Sequence, residues 1–236
     1  MDEASALPLR ARFTRLQLAI AGLAVAYVTL AALVVGGALT SVDRYALVHW
    51  MPGFDPDKVS RSVPPVNGVF MPFNLGTAWW QKALDVSTYP ASVLVSVLVF
   101  GLAAAVLVRR GAPVAAGAWV TAYVGANVLE VILKAVFRRP ALYRPYDGVS
   151  YHATIFDHAF PSGHAMRAVL VAGVIAFVWR RFTWPAAVWA ALVPVLLVAG
   201  SAHVPSDVAG GAIFGLIAVL ATHAALPAAR TRFRRA

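Results

Sequence analysis

Three short polar groups interrupt a chain that is otherwise apolar. They are Lys134-Ala-Val-Phe-Arg138-Arg139-Pro140, Pro161-Ser162-Gly163-His164 with Arg167 three residues on, and His203-Val-Pro-Ser206-Asp207. Lys134, Arg138 and Arg139 are cations with no lone pair to act as bases, and they suit a multiply charged anion such as phosphate. Lys134 and Arg138 are four apart and share a face if the helix runs through both. Pro161-Ser-Gly-His reads as the start of a helix, where unpartnered backbone N–H groups and the helix dipole favour an anion. Ser162 can cap that helix or donate its hydroxyl, and Gly163 lets an anion approach the backbone closely. His203 and Asp207 are within reach across one turn. A carboxylate on one imidazole nitrogen sets the tautomer and turns the other toward attack on an electrophile. With His164 as a second imidazole to protonate the leaving oxygen, the set reads as metal-independent phosphoryl transfer. Glu130, four before Lys134, is read as its ion-pair partner. His49, His152, His158 and His223 are read as structural.

The elements that carry these groups are membrane helices. Of 236 residues, 60% are hydrophobic and only 13% charged, a balance unlike that of soluble domains or disordered chains. The absence of Cys excludes disulfides, thiolate metal sites and a Cys nucleophile. Charge-free runs of bilayer length predict six helices near 16–39, 88–108, 114–137, 162–179, 183–202 and 208–227. Arg10, Arg12, Arg15, Arg109, Arg110, Arg180, Arg181, Arg230, Arg232, Arg234 and Arg235 fall on one side of that arrangement, which is cytoplasmic by the positive-inside rule. Both termini are therefore expected inside, and the first span is read as an anchor. The net charge of +10 is assigned to this side and to anionic lipid, with no nucleic-acid partner expected. All three polar groups then meet at the extracytoplasmic end. The Trp residues are read as interface anchors, "FNLGTAWWQKAL" as lying along the interface, and Gly211-xxx-Gly215 as a close helix contact inside the bundle. The organisation expected is an N-terminal anchor and long outer segment over 1–85, a membrane core over 86–229 and a basic tail over 230–236.

At these residues the sequence resembles the type-2 phosphatidic acid phosphatase family of membrane lipid phosphatases, which shares a core with vanadium haloperoxidases and bacterial acid phosphatases. The likeness spans roughly 86–222, and "AFPSGHAMRA" together with "HVPSDVAGGAIFG" carries it. It implies an all-α membrane bundle with a haloperoxidase-like core. It also implies phosphate binding by Lys134, Arg139, Ser162 and the Gly163 amide, with His164 as general acid, His203 as nucleophile and Asp207 as its orienting partner. Two positions depart from the family pattern. Arg139-Pro140 follows Lys134 after four residues where the family has six, and the Ser-Arg pair ahead of the nucleophile is replaced by Leu196 and Leu197. Arg138, Arg144 or Arg167 is expected to supply the missing cation.

The expected activity is hydrolysis of a lipid phosphomonoester or diphosphate through a phosphohistidine, without metal or cofactor. Phosphatidate, phosphatidylglycerophosphate and polyprenyl phosphates or diphosphates are the candidate substrates. Two alternatives stand beside it: transfer of a phosphoryl group or headgroup to an acceptor other than water, and a lipid-phosphate binder or transporter without turnover.

Overall fold

The computed structural model describes residues 9–50, 79–140, 160–199 and 203–226. Among them every regular element is a helix: α1 Leu9–Val35, α2 Thr40–His49, α3 Trp79–Thr88, α4 Val93–Arg109, α5 Pro113–Val136, α6 Gly163–Val178, α7 Thr183–Ala199 and α8 Pro205–Ala225, with single 3-10 turns at Tyr89–Ala91 and Arg180–Phe182. Each of the six runs expected from the sequence falls on one of these helices. Four of the described helices are long and apolar enough to cross a membrane, over Thr14–Val35, Pro113–Val136, Arg180–Ala199 and Pro205–Ala225. Val93–Arg109 and Gly163–Val178 are apolar but shorter.

Local chemistry sets the helix ends. The Ser92 hydroxyl accepts from Val95 N–H at the start of α4, and Ser162 accepts from Ala165 N–H at the start of α6. Pro113 and Pro205 open α5 and α8, where a missing N–H does no harm. Gly111 closes α4 and Gly37 turns the chain after α1, both with positive φ, +72° and +77°. This is backbone that residues with a Cβ rarely adopt. The Gly37 turn corrects the first predicted span, which was taken to run to residue 39. It also folds α2 back, a helix that lies inside the long outer segment. α3 is likewise a helix in that segment and covers the second half of "FNLGTAWWQKAL"; the first half lies outside the described residues.

α6 is the axis of the bundle. It is buried along nearly its whole length, from Gly163 to Val178, and packs against α8, α7 and α4, while α1 lies along α8. Phe100, Trp119, Tyr123, Met166, Leu170 and Val174 fill the space among α4, α5, α6 and α8. Ala165, Ala168, Ala190, Val193 and Leu197 form a tighter seam between α6 and α7. Gly211 and Gly215 do pack inside the bundle. A Cβ on Gly211 would overlap the Ser162 carbonyl oxygen, and one on Gly215 would come to 2.8 Å from that of Met166. Small residues thus let α8 reach the backbone of α6. The outer surface is apolar: Leu18, Val25, Leu98, Leu102, Val128, Val188 and Leu192 are exposed. On a water-soluble protein this would be an anomalous patch, but it suits lipid. Trp79 and Trp184 are exposed at helix starts, as expected of anchors. Trp119 departs from that reading. It is fully buried, edge-on to His223 and tilted on Phe100 and Phe177, because its helix face meets three neighbours.

The two ends of α6 separate two kinds of chemistry. At its C-terminal end Arg110 donates to the Val178 carbonyl at 2.8 Å, which brings the α4–α5 turn beside Arg180 and Arg181. At its N-terminal end, about 24 Å away at 1.5 Å per residue, the three polar groups converge.

Candidate active site

Asp207 is the hub. Fully buried in the first turn of α8, it is held through three atoms. Its Oδ1 accepts from Arg139 Nη1 at 2.9 Å. Its Oδ2 stands 3.6 Å from His203 Nδ1. Its backbone carbonyl accepts from Ser162 N–H at 2.9 Å. One residue thereby joins all three polar groups of the sequence. His203 and Asp207 stand within ion-pair range at 3.6 Å, beyond hydrogen-bond distance, and the α6 start is tied to the α8 start by a main-chain bond.

His203 and His164 face the same space. Their ring centroids are 6.4 Å apart with planes inclined by 52°, and both side chains are largely buried. His164 also lies within electrostatic reach of Arg167 and Lys134. Ser162 caps α6 by accepting a hydrogen bond, so its O–H proton can point elsewhere.

The cations divide into two sets. Lys134, in the last turn of α5, pairs with Glu130 Oε1 at 2.5 Å. Arg167, one turn into α6, is buried. Its Nε donates to the Ala91 carbonyl at 2.8 Å, and its Nη1 donates to Asn127 Oδ1 at 3.1 Å and to Glu130 Oε2 at 3.2 Å. Glu130 therefore bridges Lys134 and Arg167. Arg139 forms the second set. Besides Asp207 it reaches Asp43 Oδ2 and, at 2.8 Å, Ser206 Oγ, both from Nη2. Ser206 in turn donates to Asp43 through its hydroxyl at 2.6 Å and its N–H at 3.1 Å.

Several expectations about the cations change. α5 ends at Val136, with Phe137 already extended ahead of Arg139-Pro140, where a residue preceding proline resists the helical conformation. Arg138 is therefore not on a helical face with Lys134, and it is exposed. Arg144 lies outside the described residues. Leu197, at the position where the family carries an Arg, is fully buried in the α6–α7 seam, so that position offers no charge. Arg167 enters the neighbourhood of His164 from α6.

Sequence reasoning missed Asp43, Asn127 and the role of Ser206. Asp43 comes from α2, a helix no periodicity announced. An acid just past the first span carried no more signal than any other outer carboxylate.

Residues 115–231 match the family model of the PAP2 superfamily. That match bears out, over this range, the likeness read from the motifs. Among solved structures, the chain is similar to the crystal structure of a transmembrane PAP2-type phosphatidylglycerolphosphate phosphatase from Bacillus subtilis. The TM-score is 0.60 at 18% identity, with 86% of this chain and 94% of that chain covered. That likeness is one of fold. No curated protein gives a significant match.

Proposed function

We propose that the protein is an integral membrane phosphatase acting on the terminal phosphate of a lipid. The observation that carries this is the placement of His164 and His203 across a 6.4 Å gap, with Asp207 on the far nitrogen of one and Lys134 and Arg167 beside the other. In this reading His203 attacks phosphorus through Nε2 while Asp207 stabilises the Nδ1–H of the imidazolium that forms. The P–O bond to the lipid breaks, and His164 supplies a proton to the departing alkoxide. Water then enters with His164 as base, cleaves the P–N bond and releases inorganic phosphate. Lys134, Arg167, Ser162 and the Gly163 amide hold the phosphoryl oxygens. Arg139 acts from behind, by holding Asp207.

The site lies at the end of the bundle opposite Arg110, Arg180 and Arg181. By the positive-inside rule that end is extracytoplasmic and both termini are cytoplasmic. α6 has 16 residues, shorter than the roughly 20 that span a bilayer core. His164, at one end of this short helix, lies close to the boundary between the bilayer core and the headgroups, with the lipid chains passing between helices. The Bacillus subtilis structure makes phosphatidylglycerophosphate the first substrate to try, ahead of phosphatidate and polyprenyl phosphates or diphosphates.

The test is phosphate release by the full chain in detergent with EDTA across those lipids, beside His203→Ala. Release that falls at least about a thousandfold in the variant supports the reading. No release from any lipid by a folded protein overturns it, and a phosphorylated acceptor in place of free phosphate redirects it to transfer.

A further inference from the structure

Two cations and the open face of Gly163, at the start of α6, converge on one carboxylate belonging to the protein. Glu130 Oε1 is on Lys134 Nζ at 2.5 Å, and its Oε2 is on Arg167 Nη1 at 3.2 Å. The same carboxylate lies over Gly163, where a Cβ would overlap its oxygens and come to 2.6 Å from Cδ. Gly163 is the first residue of the helix, so the carboxylate covers the end where N–H groups and the dipole favour negative charge. The side chain is 8% exposed, and His164 is its neighbour in sequence to Gly163. A buried carboxylate bridging two cations at a helix N-terminus presents two oxygens where a phosphoryl group would present three.

We propose that Glu130 is a resident anion holding the place of the substrate's phosphate, and that the phosphate binds by displacing it from Lys134, Arg167 and the Gly163 backbone. The inference rests on the proposed reading of this site as phosphate-binding and adds a residue that sets its affinity. While empty, the site keeps the buried Arg167 and the half-buried Lys134 compensated, because an uncompensated buried charge is strongly destabilising. Displacement rather than addition means that an incoming anion sees only the fraction of molecules in which Glu130 has moved aside. Apparent affinity is lower than intrinsic affinity by that fraction.

The experiment measures binding of inorganic phosphate to the purified full chain and to Glu130→Gln by titration calorimetry. Phosphate inhibition of lipid hydrolysis and thermal unfolding of both proteins are followed in parallel. If the open fraction is a tenth or less, Glu130→Gln binds phosphate at least about tenfold more tightly. Loss of a merely structural ion pair would weaken binding or leave it unchanged, so that result overturns the proposal even where the parent hydrolyses lipid phosphates normally. Should Glu130→Gln not fold, Glu130→Asp draws the carboxylate back by one methylene while keeping its charge. It too is expected to bind phosphate more tightly, and equal or weaker binding overturns the proposal. Absence of both phosphate binding and lipid hydrolysis in the folded parent overturns the phosphatase reading itself, and this inference with it.

Discussion

Asp43 and Asp207 share one guanidinium. Arg139 lies between them, with Nη1 on Asp207 at 2.9 Å and Nη2 on Asp43, and all three side chains are buried. Two carboxylates around one cation leave a formal negative charge in the cluster beside His203, and Arg139 fixes the Asp207 carboxylate in place.

Asp43→Asn tests that relationship. The amide keeps the shape but removes one charge from a buried pair, an error that costs about 3 kcal/mol when one partner is lost. Thermal unfolding in detergent is expected at a lower temperature. The rate of lipid-phosphate hydrolysis is expected to fall more than substrate affinity does, because Asp43 acts through Arg139 and Asp207 rather than on the phosphate. A fall in affinity alone would sink the role assigned to it.

Gly211→Ala places a methyl group into the Ser162 carbonyl, which cannot rotate away because the Ser162 N–H is bonded to Asp207. Overpacking of this kind costs about 1–3 kcal/mol. The start of α6 is expected to shift, with loss of both stability and turnover. Gly22→Ala is the control, since nothing lies within 4 Å of a Cβ there; it is expected to match the parent in a melting curve.

Arg167→Lys keeps the charge but not the fork. Three acceptors, one on the Tyr89–Ala91 turn and two on α5, are served by the Arg167 guanidinium, and a single ammonium cannot reach all of them in that geometry. Turnover is expected to fall by about 100-fold, the loss typical of removing one donor to a developing oxyanion. An unchanged rate would show that Arg167 is only a counter-ion to Glu130.

Leu197→Arg restores the cation that the family pattern places ahead of the nucleophile. Here the side chain would enter the seam formed by Ala165, Ala168 and Val193, where burying an unpaired charge is penalised by several kcal/mol. The expected outcome is poor expression or a lowered melting temperature, not faster hydrolysis. A stable, faster enzyme would mean that the seam opens toward the phosphate.

Much of this site was legible because its chemistry is written in contiguous residues. Pro161-Ser162-Gly163-His164 and the His203–Asp207 spacing each lie within one helical turn, where sequence distance and spatial distance agree. Hydrophobic run length did the same for the bundle, placing each of six runs on a described helix with ends that differ by up to seven residues. What escaped depends on distant contacts or on backbone geometry. Arg138 shares no helical face with Lys134 because α5 stops at Val136, ahead of Arg139-Pro140. Trp119 looked like any Trp near a helix end until the packing of α4, α6 and α8 enclosed it. Leu197 was seen as a missing charge, but only the fold shows that the vacated position became part of an apolar seam. Asp43 needed the Gly37 turn to be brought into place.

That turn has a consequence for how the molecule assembles. α1 and α2 leave the ribosome long before α8, yet the carboxylate on α2 and the carboxylate on α8 close on the same buried Arg139. Until α8 inserts, Asp43 and Arg139 are a pair without their third member and His203 lacks the carboxylate that stands beside it. The histidine site is thus among the last features of the protein to form, and a nascent chain halted before α8 would reach the membrane without it.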